Sequence, residues 1–332
     1  PLFAPLALLP YAVAKAIWAL GLILSAIAVL LGLRAFGTPW PGTTSEQFLP
    51  LLLLLNYITL VVIELGQTSF LFVGCVLAGQ WCFDRSGRFP VSSSRWRAFS
   101  AGVGALLWSI PFLKPNLAFP LLALAWYLGG WRRPAAILVV IATLNCVGCL
   151  MIGHSPLFLW DYVQYLGSAH LAIIYNRAEL NPTITSWNRL LFTLGGPLVE
   201  LTAATTLASY AVWFLLVIGR VALAGVRPSA AWAAAVTAIG GVLCAQVMIY
   251  DLLFLILVIP WIRILYARGY LNLAWLALGL IGLQLIPVGT MVAFGIVCHH
   301  ALGVALLAAL VLVGPIAEDS GHVASFALVP SP

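Results

Sequence analysis

Apolar residues fall along the chain in blocks of roughly 15 to 25, divided by short polar punctuation. Within the blocks they do not alternate: Leu51 to Leu55 is unbroken leucine, and Ala301 to Val313 holds no polar side chain. Strands of a membrane barrel read as apolar–polar alternation, so that class is excluded. A helix needs about 20 apolar residues to cross a hydrocarbon core of roughly 30 Å, which is the length of these blocks. The pattern predicts an all-α fold, a polytopic transmembrane bundle of about eleven spans. They run over residues 13–33, 48–65, 68–83, 98–113, 117–130, 134–153, 200–219, 230–249, 252–267, 271–297 and 301–316.

Composition strengthens this reading. Of 332 residues, 63% are hydrophobic and 7% charged, with a mean hydropathy of +1.10. A soluble domain carries about 25% charged residues, so a water-soluble enzyme is ruled out. Sidedness follows from Lys and Arg, which stay on the cytoplasmic side of short loops. If the first span runs inward, one set of loops collects Arg34, Arg85, Arg88, Arg95, Arg97, Arg132, Arg133, Arg220, Arg227, Arg263 and Arg268, eleven of the fifteen basic residues. Lys15, Lys114, Arg177 and Arg189 fall on the other side, with Glu64, Asp161, Glu179, Glu200 and Asp251. The net charge of +6 therefore encodes orientation, with no bearing on nucleic acid.

The chain reads as one integral-membrane domain over 1–332, in which 154–199 is an extracytoplasmic loop. Its Trp160, Tyr162, Tyr165, Tyr175 and Trp187 suit short helices at headgroup level. The opening PLFAPLALLP begins at Pro1 with no charged n-region, as expected of a fragment without its natural start. Cys146 and Cys149 form a CxxC, but inside an apolar block with no second pair, so they read as packing residues and no metal is expected. No Walker glycine loop, HExxH or GxSxG occurs, which leaves nucleotide hydrolysis and serine-hydrolase chemistry without support.

An ionisable group at membrane depth costs about 3 kcal/mol, so each needs a partner, water or a role. Glu64, Gly66, Gln67 and Thr68 lie at an outer turn and suit an anionic or hydroxyl-rich ligand, or simply a polar hairpin. Lys114 in LKPNLAFP precedes Pro115 and Asn116, so an ammonium and a helix N-terminus face one region. That makes a phosphate site, or a lysine snorkelling to headgroups. Gln246 and Tyr250 are four apart on one helix face, with Asp251 beside them at a span end. This carboxylate could hold sugar hydroxyls or pair with Lys114. In the long outer loop, Arg177 could grip phosphate and Asn188 a sugar hydroxyl, although most of Asp161, Arg177, Asn181, Asn188 and Arg189 read first as solvated loop residues. His299 and His300 read as interfacial, pointing about 100° apart.

In order, PLFAPLALLP, LGQTSF at Leu65 to Phe70, LKPNLAFP at Leu113 to Pro120 followed by Trp131, Arg132 and Arg133, and IYDLLFLILVIP at Ile249 to Pro260 resemble glycosyltransferase family 87. Asn116 stands where Gln often follows the Lys-Pro pair of that family. The resemblance implies a GT-C-like membrane glycosyltransferase using a polyprenyl-phosphate sugar, with no cofactor. It would transfer a hexose such as mannose to a lipid or glycan acceptor, with inversion, on the extracytoplasmic face of the bacterial plasma membrane. It also implies a catalytic Asp in a first outer loop, ahead of Pro1, so that no residue here is assigned as the base. Lys114 and Gln67 are expected at the phosphate. A transporter or flippase for lipid-linked sugars, and a non-catalytic envelope subunit, are the competing classes. Charges gathered at span ends rather than mid-span favour the enzyme.

Overall fold

A computed structural model describes residues 8–33, 68–88, 94–151, 153, 155, 184–195, 203–245, 247–287 and 299–316. Among them the apolar blocks become helices: α1 (Tyr11–Gly32), α2 (Ser69–Arg88), α3 (Ser94–Ser109), α4 (Pro115–Gly129), α5 (Arg132–Met151), α6 (Trp187–Thr193), α7 (Ala203–Ala224), α8 (Ala230–Cys244), α9 (Ile259–Ala267), α10 (Leu271–Gln284) and α11 (His299–Val313). Two 3₁₀ segments, Ile110–Leu113 and Ile249–Val258, lead into α4 and α9. The expected span 48–65 and nearly all of 154–183 lie outside the described residues.

Helix ends follow local chemistry. Ser186 and Ser229 each accept a backbone N–H from the third residue beyond, Arg189 at 3.3 Å and Trp232 at 3.0 Å, and so cap α6 and α8. Pro115 opens α4, where a missing N–H costs nothing. Gly130 ends the same helix at φ 67°, a left-handed conformation that lets the chain turn directly into α5.

One expected span is different in kind. The block 230–249 is not one helix: α8 stops at Cys244, Ala245 is extended, and Val247–Met248 forms a strand, β2. It pairs antiparallel with β1 (Ile184–Thr185), Ile184 opposite Met248 and Thr185 opposite Val247. Gln246 lies outside the described residues, but the extended backbone on both sides of it overturns the helix face that Gln246 and Tyr250 were expected to share. Beyond β2 the chain restarts as 3₁₀ for ten residues and becomes α-helical at Ile259, where Pro260 sits in the first turn and has no N–H to continue the earlier ladder. At about 2.0 and 1.5 Å per residue the two pieces together extend roughly 33 Å, so this stretch reaches across a bilayer core as a composite helix.

α8 forms the centre of the bundle, with twelve of its fifteen residues buried, and the 3₁₀ run Leu252 to Val258 is buried throughout. α1, α5 and α7 are the opposite case: each is apolar over 19 to 21 residues, and at most 17% of each is buried. Such helices are stable only with apolar surroundings on the outer face, which makes them the lipid-facing wall. Small residues let the inner helices close up. Gly79 on α2 faces the indole of Trp108 on α3, whose Nε1 donates to Val76 O at 2.9 Å.

The two ends of the bundle differ. One carries Arg85, Arg88, Arg95, Arg97, Arg132, Arg133, Arg220, Arg227, Arg263 and Arg268 at its turns and helix ends. Here Arg133 donates to Gln80 Oε1 at 3.1 Å with its ring-facing guanidinium 4.7 Å from the Phe83 centroid. Arg220 donates to the carbonyls of Leu312 at 2.6 Å and Gly314 at 3.2 Å, closing the last turn of α11. The other end gathers the starts of α2, α4, α6 and α11 around the β1–β2 pair.

Gly79→Ala forces a methyl into the Trp108 ring and is expected to cost about 1–3 kcal/mol, read as a fall in thermal unfolding temperature in detergent. Gly102→Ala on α3 meets nothing within 4 Å and should stabilise by up to about 1 kcal/mol. Equal shifts for the two would contradict the packing described.

Candidate functional site

The end around β1–β2 is polar inside. Ser69, Thr185, Ser186, Asn188, Arg189, Asp251, Gln284, His299 and His300 are all buried there. Such groups are expensive in an apolar bundle unless each finds a partner, and the bonds among them show how the cost is met.

The centre is an ion pair. The 3₁₀ turn Ile110–Leu113 closes with Lys114 N–H donating to Pro111 O at 2.9 Å, and leaves Lys114 outside helical geometry at φ −119°, ψ 79°. Its carbonyl then accepts the N–H groups of Leu117 and Ala118, both at 3.1 Å, starting α4. This geometry delivers the ammonium to Asp251, Nζ to Oδ1 at 2.8 Å, with the Lys side chain 25% and the Asp side chain 7% exposed. Asp251 is gripped from two further directions. Ser69 Oγ, at the first residue of α2, donates to the same Oδ1 at 2.9 Å, and Met248 N–H at the end of β2 donates to Oδ2 at 3.4 Å. One carboxylate thus joins α2, the α4 entry and the 3₁₀ helix, and the charge is both paired and hydrogen-bonded as burial requires.

Of the residues singled out in the sequence, Lys114 and Asp251 come together. Asn116 falls in the first turn of α4, two residues past Lys114, and Tyr250 in the first turn of the 3₁₀ helix beside Asp251. Glu64, Gln67, Arg177 and Gln246 lie outside the described residues. Asn188 and Arg189 are not solvated: they are 2% and 5% exposed. Ser186 caps α6 here, and that short helix packs on α11, which takes both side chains out of water. Ser69 was missed as a site residue. It ends the LGQTS run, and only its fold partner 182 positions away reveals its use.

His299 and His300 are not interfacial either. Both are 2% exposed, and their ring centroids lie 3.8 Å apart at a 39° tilt. Gln284 Nε2 donates to Leu280 O at 3.1 Å, which turns Oε1 toward His300 Nδ1, also at 3.1 Å. An amide oxygen only accepts, so His300 carries its proton on Nδ1. His299 Nε2 faces Ile286 O at 3.2 Å and is protonated there for the same reason. Among the described residues, His299 Nδ1 and His300 Nε2 therefore carry lone pairs with no hydrogen-bond partner. Gly303 makes room for the Gln284 amide, which a Cβ at that position would strike. Among the described residues no group of three His, Cys, Asp or Glu side chains could hold a metal.

A helical bundle with a lipid-facing wall and a charged, buried polar layer at one end is a membrane protein. The model of glycosyltransferase family 87 matches residues 1–249, and the chain belongs to that family of membrane glycosyltransferases. The matched region takes in α1 to α8, Lys114 and the β1–β2 pair, and stops two residues short of Asp251. No curated protein and no solved structure matches the chain.

Asp251→Ala removes one partner of a largely buried pair and should lower stability by about 3 kcal/mol, against about 1 kcal/mol for Ser69→Ala, which loses a single hydrogen bond. Unfolding in detergent reads both. A smaller loss for Asp251→Ala than for Ser69→Ala would show that the pair does not hold this end together.

Proposed function

We propose that the protein transfers a hexose, in the first instance mannose, from a polyprenyl-phosphate donor to a lipid or glycan acceptor, with inversion, at the extracytoplasmic face of the bacterial plasma membrane. Family membership supports the sugar transfer. The single observation that carries the finer reading is the position of Lys114: a partly exposed lysine side chain, anchored by Asp251 at the start of a helix, at the end of the bundle away from the ten arginines.

Positive charge stays in the cytoplasm, so the arginine-rich end faces inward and the Lys114 end outward. A sugar carried on a lipid phosphate brings its own leaving group to that side and needs no nucleotide site within the cell. In the transfer, an acceptor hydroxyl oxygen forms the new bond to the anomeric carbon as the bond to the phosphate oxygen breaks. The phosphate leaves with the electron pair, and the hydroxyl proton passes to a base. Lys114 offers charge-assisted donors to the departing phosphate, and the positive end of the α4 dipole adds to its field. Gln67 and Asn116 are its proposed neighbours at the phosphate. Arg177 is proposed to join them at the phosphate, and Glu64, Asn188, Gln246 and Tyr250 to meet sugar or acceptor.

Asp251 has a different task. Its two oxygens already accept from Ser69, Lys114 and Met248, so it serves to hold the ammonium in place. It is a positioning residue for Lys114.

Lys114→Gln, which keeps a donor but removes the counter-charge of Asp251, should raise the donor KM by about tenfold or more, since a charge-assisted bond to phosphate contributes about 1.5–3 kcal/mol, and should lower stability less than Asp251→Ala does. Lys114→Ala should lose at least as much donor use. Transfer assays on the full-length protein with labelled prenyl-phosphate sugars check this. An unchanged donor KM in both variants would make Lys114 a headgroup anchor only.

A further inference from the structure

Between α7 and α8 lies an open cleft of about 470 Å³, lined by Trp187 of α6, by Thr205, Ser209, Trp213 and Leu216 of α7, and by Cys244 of α8. The α7 residues recur at intervals of three and four, so they form one helix face. From Thr205 to Leu216 that face runs about 16 Å. Its polar groups are already used: Trp187 Nε1 donates to Ser209 Oγ at 2.9 Å, Ser209 Oγ donates to Thr205 O at 2.7 Å, and Trp213 Nε1 donates to Val236 O at 3.2 Å. What remains to greet an occupant is aliphatic and ring surface. A cavity of about 150 Å³ takes one benzene, so this cleft has room for a chain of about eighteen carbons.

Two features distinguish it from the flat lipid-facing wall around it. Gly240 on α8 lacks the Cβ that would strike the Trp213 indole, so the ring sinks against α8 and forms a floor. At the upper end Trp187 reaches over from α6 to its bond with Ser209. That upper end adjoins the polar site. Trp187 follows Ser186 and β1 directly, and Cys244 is separated from β2 by two residues. Tyr210, next in sequence to Ser209, packs on Phe119 with centroids 5.8 Å apart, five residues past Lys114. A molecule with an anionic head at Lys114 and a long apolar tail is matched by this arrangement at both ends.

We propose that the cleft is the seat of the hydrocarbon chain of the lipid-phosphate donor. This rests on the donor class put forward under the proposed function. The anionic head is the reason to choose the donor over an ordinary bilayer lipid or the chain of the acceptor: through the Tyr210–Phe119 contact the cleft's upper end adjoins α4, whose entry carries the lysine that would hold a phosphate.

Ala208 and Val212 also line the cleft and are exposed, so Ala208→Trp and Val212→Trp fill it without touching the buried core. Leu215→Trp, at a position 68% exposed and outside the lining, is the control for added bulk on α7. Full-length protein in liposomes is assayed with two donors bearing the same sugar phosphate, one on a long prenyl chain and one on a two-isoprene chain. Filling the cleft should raise the KM of the long donor about tenfold or more, because displacing even a few buried methylenes costs that much, and leave the short donor and the control variant unchanged. Equal KM values for wild type and filled variants would assign the cleft to bilayer lipid only, and a rise in acceptor KM alone would assign it to the acceptor. Either overturns the proposal. A wild type inactive with both donors strikes at the donor reading instead, and the cleft is then read by photolabelling with a reactive long-chain prenyl phosphate. Labels on α7 that vanish in Ala208→Trp support the proposal, and labels confined to other helices overturn it.

Discussion

A carboxylate buried in an apolar bundle must be paired, and that requirement organises one whole end of this protein. Asp251 satisfies it by drawing Lys114 from the α4 entry, Ser69 from the start of α2 and Met248 from the end of β2. None of these could shift by a turn without leaving a charge or a donor stranded. The non-helical backbone at Lys114, the stop of α8 at Cys244 and the change to a 3₁₀ helix are all arrangements that let these groups converge. Irregular backbone at this depth is tolerated because it lies within protein and lines a site.

From that centre the polar layer extends through β1 to α6 and α11. Asn188, Arg189 and the His299–His300 pair lie buried in it, and among the described residues two imidazole lone pairs there have no hydrogen-bond partner. The remainder of the bundle supplies the opposite environment. α1, α5 and α7 face lipid, and the cleft against α8 is bounded by rings and aliphatic chains. The proposed lipid-phosphate donor, half ion and half hydrocarbon, would need both environments side by side.

Much of this was legible in the sequence because it depends on local composition. Apolar blocks mark helices whatever they pack against, and eleven arginines gathered on one side mark an end. The short motifs that resemble glycosyltransferase family 87 were legible for the same reason, and the match over residues 1–249 bears out the family they point to. A Lys114–Asp251 pair was one of two options that sparse charge left open, and it is the one formed. What stayed hidden depends on contacts distant in sequence. Nothing local says that α8 must end at Cys244, because the strand that replaces its last turn is held by residues some 62 positions earlier. Asn188 and Arg189 look like loop residues until a cap at Ser186 and the flank of α11 bury them. His299 and His300 look interfacial until Gln284 and Ile286 O claim one nitrogen from each.

The most direct measurement of the central claim is a double-mutant cycle on unfolding with Lys114→Met, Asp251→Asn and the two combined. If the pair holds this end of the bundle, either single change strands its partner and the double variant regains part of the loss, giving a coupling of about 1 kcal/mol or more. Losses that simply add would mean that the two charges stand near each other without supporting the site.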